Sequence, residues 1–118
     1  MLQDFNYLAP KSKNELYTLL KKHAGKARIL AGGTDILVEF HNGWSAPEYL
    51  IDVKKIKEFS GITYNSEEGL SIGATSVCVD LIKDKNVKRH YSLLADAAER
   101  IGSPQLRNRA TIGGNLCT

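Results

Sequence analysis

Arg28-Ile29-Leu30-Ala31 is a short apolar run that breaks into Gly32-Gly33, and Thr34-Asp35-Ile36 follows with the character of a helix start. This order commits the chain early to a strand, a turn open enough for close approach of a ligand, and a helix leaving near Thr34. The first amides of a helix lack carbonyl partners and sit at the positive end of its dipole, so the spacing predicts an anion-binding bend. A second stretch of like character, Ala110-Thr111-Ile112-Gly113-Gly114-Asn115, lies at the far end of the sequence. Two diglycine turns brought together would grip the two halves of one long ligand.

The remaining chain supplies a scaffold for these bends. Asp4 to Leu8 alternates Phe5 and Tyr7 with polar neighbours and is stopped by Pro10, which predicts a short edge strand. Ser12 and Glu15 have capping-box spacing, and Leu16, Leu19 and Leu20 repeat at helical period, so an amphipathic helix runs from Ser12 or Lys13 to His23, with Gly25 beyond it. Ile36, Leu37 and Phe40 share one side of the helix after the first bend, which ends near Asn42-Gly43, and Trp44 to Pro47 reads as loop. Tyr49 to Val53 is a compact apolar run, hence a buried strand. Strand, helix and strand in this order predict a parallel βαβ unit with a right-handed crossover. Lys54 to Phe59 reads as one or two helical turns.

Ile62 to Asn65 and Leu70 to Gly73 flank a polar turn and predict a hairpin. Thr75 or Ser76 is expected to cap a helix through Lys83. Tyr91 to Ile101 places Leu94, Ala97, Ala98 and Ile101 on one side of a further helix, with Gly102 as its stop, and Ser103-Pro104 turns the chain.

Composition narrows the function. A formal charge of +3, with lysines dispersed rather than grouped with aromatics, argues against nucleic acid as partner. No apolar run approaches the roughly 20 residues of a membrane span, and Met1 to Phe5 lacks the basic start and apolar core of a signal peptide. Two distant cysteines, Cys78 and Cys117, offer neither a disulfide framework nor a metal site, and a reducing cytoplasm is the expected location.

No residue set carries chemistry alone. The first bend is not a Walker loop, since no lysine follows the glycines, and it lacks the third glycine of a dinucleotide fingerprint. Any grip there falls to backbone amides and the Thr34 hydroxyl, with the Asp35 carboxylate turned away. Thr111 and Asn115 add a hydroxyl and a carboxamide at the second bend; a tight turn at the first and a glycine-rich strand or bulge at the second are the structural alternatives. His23, His41 and His90 have polar neighbours and read as solvated. Cys78 and Cys117 read as small hydrophobes of the core, with approach to a cofactor as the other option for Cys117 beside the second bend, and Arg107 and Arg109 as solvated cations with phosphate as the other option. A chain without its own acid, base or nucleophile borrows chemistry, and a redox cofactor is the usual source.

The joint pattern of Ala27 to Leu37, Ile51-Asp52-Val53, Leu70 to Ala74 and Ser103 to Cys117 resembles the FAD-binding medium subunit of the molybdenum hydroxylases, the xanthine dehydrogenase family. The resemblance runs from about Phe5 to Thr118. It implies an α+β, vanillyl-alcohol-oxidase-type FAD-binding domain, with a first βαβ subdomain at 1–60 and the beginning of a second at 61–118. It implies that Ile29, Leu30, Ala31, Gly32, Gly33, Thr34, Asp35 and Ile36 wrap the FAD diphosphate. Thr111, Ile112, Gly113, Gly114 and Asn115 close on the other side, and Ile101 lies near the adenine-to-diphosphate region. It further implies a [2Fe-2S] subunit and a molybdopterin subunit as partners, with electrons passing through FAD to NAD+ or another acceptor.

Family members continue past the second glycine pair, so 1–118 is expected to be a fragment of the subunit that binds FAD weakly or not at all alone and associates with itself or with the missing remainder. A cofactor-free assembly module that keeps the fold is the alternative from a different class, and a nucleotide site unrelated to flavin is a third reading.

Overall fold

The computed structural model describes residues 5–43 and 47–117; the predicted strand's start at Asp4 and the loop at 44–46 lie outside them. The first half is a three-stranded parallel sheet in the order β1 (Asn6–Leu8), β3 (Tyr49–Asp52), β2 (Ala27–Leu30). Both outer strands pair with β3, Tyr7 opposite Leu50 on one side and Ile29 opposite Ile51 on the other. Helix α1 (Lys13–Lys22) covers one face: Leu16 packs with Ile51, Val53 and Ile56. Helix α2 (Ile36–His41) covers the other, setting Ile36 and Phe40 against Leu50. A central parallel strand clothed on both faces has no solvent side, which is why Tyr49 to Val53 reads as a largely apolar run, with Asp52 its one charged residue.

Helix α1 begins as its capping signal predicts. The Ser12 Oγ accepts from the Glu15 amide at 3.1 Å, and the Glu15 carboxylate accepts from the Lys11 amide at 3.0 Å. Strand β2 is displaced one residue toward the N-terminus from the predicted Arg28–Ala31. Helix α2 starts at Ile36 rather than near Thr34, because Thr34 and Asp35 form a turn first and the Asp35 side chain does not cap it.

In the second half, β4 (Ile62–Asn65) and β5 (Gly69–Ile72) form the predicted antiparallel hairpin. Its turn is held by Asn65, whose side-chain oxygen accepts from the amides of Glu67 and Glu68. Behind it lie α3 (Cys78–Lys83), α4 (Lys85–His90), α5 (Ser92–Glu99), α6 (Pro104–Arg109) and α7 (Ile112–Leu116). The hairpin's Ile62, Leu70 and Ile72 pack on a core of Cys78, Leu81, Val87, Ala95 and Ala98.

Three short helices depart from the expected loops, and each is explained by its cap. The Asp84 carboxylate accepts from the amides of Asn86 and Val87 and starts α4. The Ser103 Oγ accepts from the Leu106 amide and Pro104 supplies the first helical φ of α6. The Thr111 Oγ1 accepts from the Gly114 amide and starts α7 through the second glycine pair. Helix α3 begins at Cys78, not Thr75 or Ser76, because Val77 bridges to Thr111 in extended conformation.

Candidate functional site

The two glycine-bearing segments meet. The Arg109 carbonyl lies so close to Gly32 that a Cβ built there would stand 2.1 Å from its oxygen, with Ala110 Cα at 3.3 Å. The Arg109 Nε in turn donates to the Gly32 carbonyl at 3.4 Å. A cleft of about 170 Å³ opens at this junction, with Gly32, Lys54, Arg109 and Thr111 in its lining. A larger depression of about 360 Å³ lies between the hairpin and α3, where Asp80 and Asp84 flank Lys83; neither glycine pair lines it.

The first bend is built for exposure of its amides. Leu30 ends β2 and packs toward Ile36, Phe40 and Leu50, while Ile29 is half exposed. Gly33 turns the chain at φ +77°, a conformation that glycine adopts without the Cβ penalty. The amides of Gly32, Gly33 and Thr34 have no acceptor among the described residues. Ile36 is buried in the core, whereas Asp35 is exposed. Because α2 has six residues and begins after the turn, these donors are loop amides and not the first amides of a long helix.

Lys54 anchors this bend from the end of β3. Its Nζ donates to the Ala31 carbonyl at 2.8 Å and pairs with Asp52 Oδ1 at 2.9 Å. Asp52 is buried, 4% exposed, and takes a second bond from the Tyr7 hydroxyl and a third from the Lys54 amide. Burial pushes the Asp52 carboxyl up, but the hydrogen bonds from Tyr7 and Lys54 outweigh it and hold the group below the ordinary carboxylate range. Its negative charge in turn holds the Tyr7 hydroxyl proton: the hydrogen bond to Asp52 raises the phenol above its usual value.

The second segment is a helix turn rather than an open bend. Ile112 donates to Ser76 O, Gly113 to Ala74 O, Gly114 to Thr111 Oγ1 and Asn115 to Thr111 O, so its four amides are already engaged. Gly113 is glycine because a Cβ would stand 2.8 Å from the Ala74 carbonyl. Its side chains are partly engaged as well: the Asn115 carboxamide donates to the Thr111 carbonyl at 3.0 Å, while the buried Thr111 hydroxyl, which keeps its proton while accepting, lines the cleft. Ile101 lies just past α5, packed on the second core, and its carbonyl accepts from the Arg107 Nε at 3.0 Å. Arg107 thus has a structural bond, while Arg109 stands in the cleft wall.

Other expectations are corrected in detail. Cys78 is buried as expected, and burial raises its thiol, but Cys117 is exposed at the end of α7 and is not a core residue. His41 and His90 are exposed as expected, His90 while stacked on Tyr64 with centroids 4.3 Å apart, whereas His23 is half-buried and stacks on Tyr49 at 3.7 Å. Sequence reasoning missed the Tyr7, Asp52 and Lys54 group at the bend; the isolated acid in the apolar run Tyr49 to Val53 was its one available signal. Among the described residues no cluster of histidine, cysteine and carboxylate is arranged for a metal, and no helix is long and apolar enough to cross a membrane.

An α+β scaffold with unpaired loop amides at the end of a parallel strand, in contact with the start of a second glycine-bearing segment beside a cleft, has the architecture of a dinucleotide-cofactor domain. The comparisons with known proteins agree: the family described as the FAD binding domain in molybdopterin dehydrogenase matches residues 3–118. The chain belongs to that family. It is 39% identical over 118 residues to the nicotinate dehydrogenase FAD-subunit of Eubacterium barkeri, covering 99% of this chain and 40% of that protein. It is 44% identical over 114 residues to the carbon monoxide dehydrogenase medium chain of Hydrogenophaga pseudoflava, covering 95% and 39% respectively. The solved carbon monoxide dehydrogenase of Hydrogenophaga pseudoflava superposes with a TM-score of 0.92 at 42% identity over 98% of this chain and 40% of that one. The chain thus spans about two-fifths of the length of the relatives it matches.

Proposed function

We propose that the chain is the N-terminal part of an FAD-binding electron-transfer subunit of a molybdopterin-dependent hydroxylase or dehydrogenase. In this reading residues 1–60 and 61–118 are the first subdomain and the start of the second in a vanillyl-alcohol-oxidase-type domain. The observation that carries it is the unpaired set of amides at Gly32, Gly33 and Thr34, beginning at Gly32 where that residue shares a cleft with Thr111. Loop amides and a hydroxyl fit a diphosphate, which accepts hydrogen bonds and needs no acid or base. Residues 29–36 hold the diphosphate. Thr111 to Asn115, together with Ile101, are assigned to the far side, where the Thr111 hydroxyl lines the cleft.

When bound, FAD supplies reversible electron storage, which none of this chain's side chains provides. The residues here bind and orient it, and substrate chemistry belongs to other subunits. The relatives' names, medium chain and FAD-subunit, support a multi-subunit assembly; in this reading it is cytoplasmic, a [2Fe-2S] subunit and a molybdopterin subunit deliver electrons, and NAD+ or another acceptor removes them. Family membership and the open first bend favour this reading over a cofactor-free module.

The test is flavin retention after gel filtration, by the 118-residue chain alone and when co-expressed with the remainder of the subunit. Weak retention alone and a bound flavin in the pair are expected. Gly33→Val in the pair places a branched side chain at φ +77° and is expected to weaken FAD binding by about tenfold or more, through strain of about 1–3 kcal/mol and distortion of the amide cradle. A pair that elutes colourless in the presence of FAD refutes the reading, and a Gly33→Val pair with unchanged affinity refutes the loop assignment.

A further inference from the structure

The first bend is flanked by two cations, and they stand in different electrostatic states. In a trans peptide the carbonyl and the following N–H point in opposite directions. Lys54 Nζ holds the Ala31 carbonyl at 2.8 Å, and this fixes the direction of the Gly32 N–H. Arg109 Nε holds the Gly32 carbonyl at 3.4 Å, and this fixes that of the Gly33 N–H. Each cation thus draws one carbonyl oxygen, which would repel an anion, to itself. Lys54 is neutralised by Asp52 at 2.9 Å, and Asp52 is held in turn by Tyr7. Arg109 pairs with no carboxylate among the described residues, so its charge is uncompensated at the cleft.

We propose that these are the positioning residues for a pyrophosphate-type anion on the amide side of the first bend, with divided roles: Lys54 sets the bend and Arg109 supplies the net positive charge. The proposal rests on the FAD reading and goes beyond it by assigning residues from β3's end and from α6, outside both glycine segments. The division follows from the ion pair. A lysine sharing its charge with a buried aspartate orients its neighbours and adds little field, whereas an unpaired arginine adds field that salt screens.

The experiment follows the amide resonances of Gly32 and Gly33 by two-dimensional NMR in the co-expressed pair of this chain and the remainder of the subunit, with FAD and ADP as probes at low and high salt, in the native sequence, Lys54→Met and Arg109→Gln. In the native chain both resonances are expected to be single without ligand and to move on titration. Lys54→Met is expected to split or broaden them before any ligand is added and to weaken binding about tenfold at either salt. Arg109→Gln is expected to weaken binding several-fold at low salt and little at high salt. Native resonances that neither probe moves refute the FAD reading itself. Native binding with unaltered ligand-free resonances in Lys54→Met overturns the role of Lys54, and equal salt dependence in Arg109→Gln and the native chain overturns that of Arg109.

Discussion

Replacing Gly32 with alanine tests whether the two halves of the chain touch where the structure has them touch. The new Cβ would lie 2.1 Å from the Arg109 carbonyl oxygen and 2.9 Å from its carbon, where ordinary contact begins at 3.4 Å. The offending atoms are backbone, so no rotamer change relieves them, and the segments must separate by about an ångström. Overpacking a close contact costs about 1–3 kcal/mol, and a backbone clash this severe belongs at the top of that range. For a chain of this size about 3 kcal/mol corresponds to a midpoint lower by roughly 10 °C. Thermal unfolding followed by far-UV circular dichroism measures it. Gly25→Ala is the control: Gly25 has φ +78° with nothing within 4 Å of its Cβ position, so only the left-handed penalty of about 1–2 kcal/mol applies. A Gly32→Ala chain that melts with the control, or above it, would show that the junction is looser than its geometry and that Gly32 is glycine for another reason.

Two further outcomes follow from the side chains. Asp52 titrates lower in the folded chain than in the unfolded one, so its share of stability is full above about pH 4 and is lost as pH falls through the folded value. Tyr7, raised in the folded chain, adds stability that is full below about pH 10 and is lost as pH rises beyond it. Tyr7→Phe is therefore expected to move the acid limb of the melting profile to higher pH; identical acid limbs would remove Tyr7 from the carboxylate's support. A thiol reagent is expected to modify Cys117 readily in the folded chain and Cys78 only after denaturant is added, as mass spectrometry of the labelled peptides will report; early labelling of Cys78 would contradict the packing of α3 against α5.

What was legible in the sequence was local. Ser12 with Glu15 announces α1, Asn65 and Gly69 announce the hairpin, and the alternating burial of Leu50 and Ile51 follows from an apolar strand between two helices. Helices α4, α6 and α7 have five or six residues each, too few for a 3.6-residue repeat to show, and their caps Asp84, Ser103 and Thr111 look like turn residues in isolation. Glycine disfavours helix, so Gly113-Gly114 reads as an open bend; the close approach of Ala74, distant in sequence, decides otherwise. Of the candidate site, the glycine pairs were visible and the Tyr7, Asp52 and Lys54 group was not, because Tyr7 and Asp52 become neighbours only when β1 lies beside β3.

The strand order also governs when the first layer can assemble. The two border strands never touch each other; each waits for Tyr49–Asp52, the last of the three to leave the ribosome. Until then α1 and α2 have only their own local hydrogen bonds, and residues 5–43 hold two extended segments with no neighbouring strand to pair with. Synthesis of one four-residue stretch therefore completes both ladders at once, and a nascent chain halted before it has a helix but no sheet.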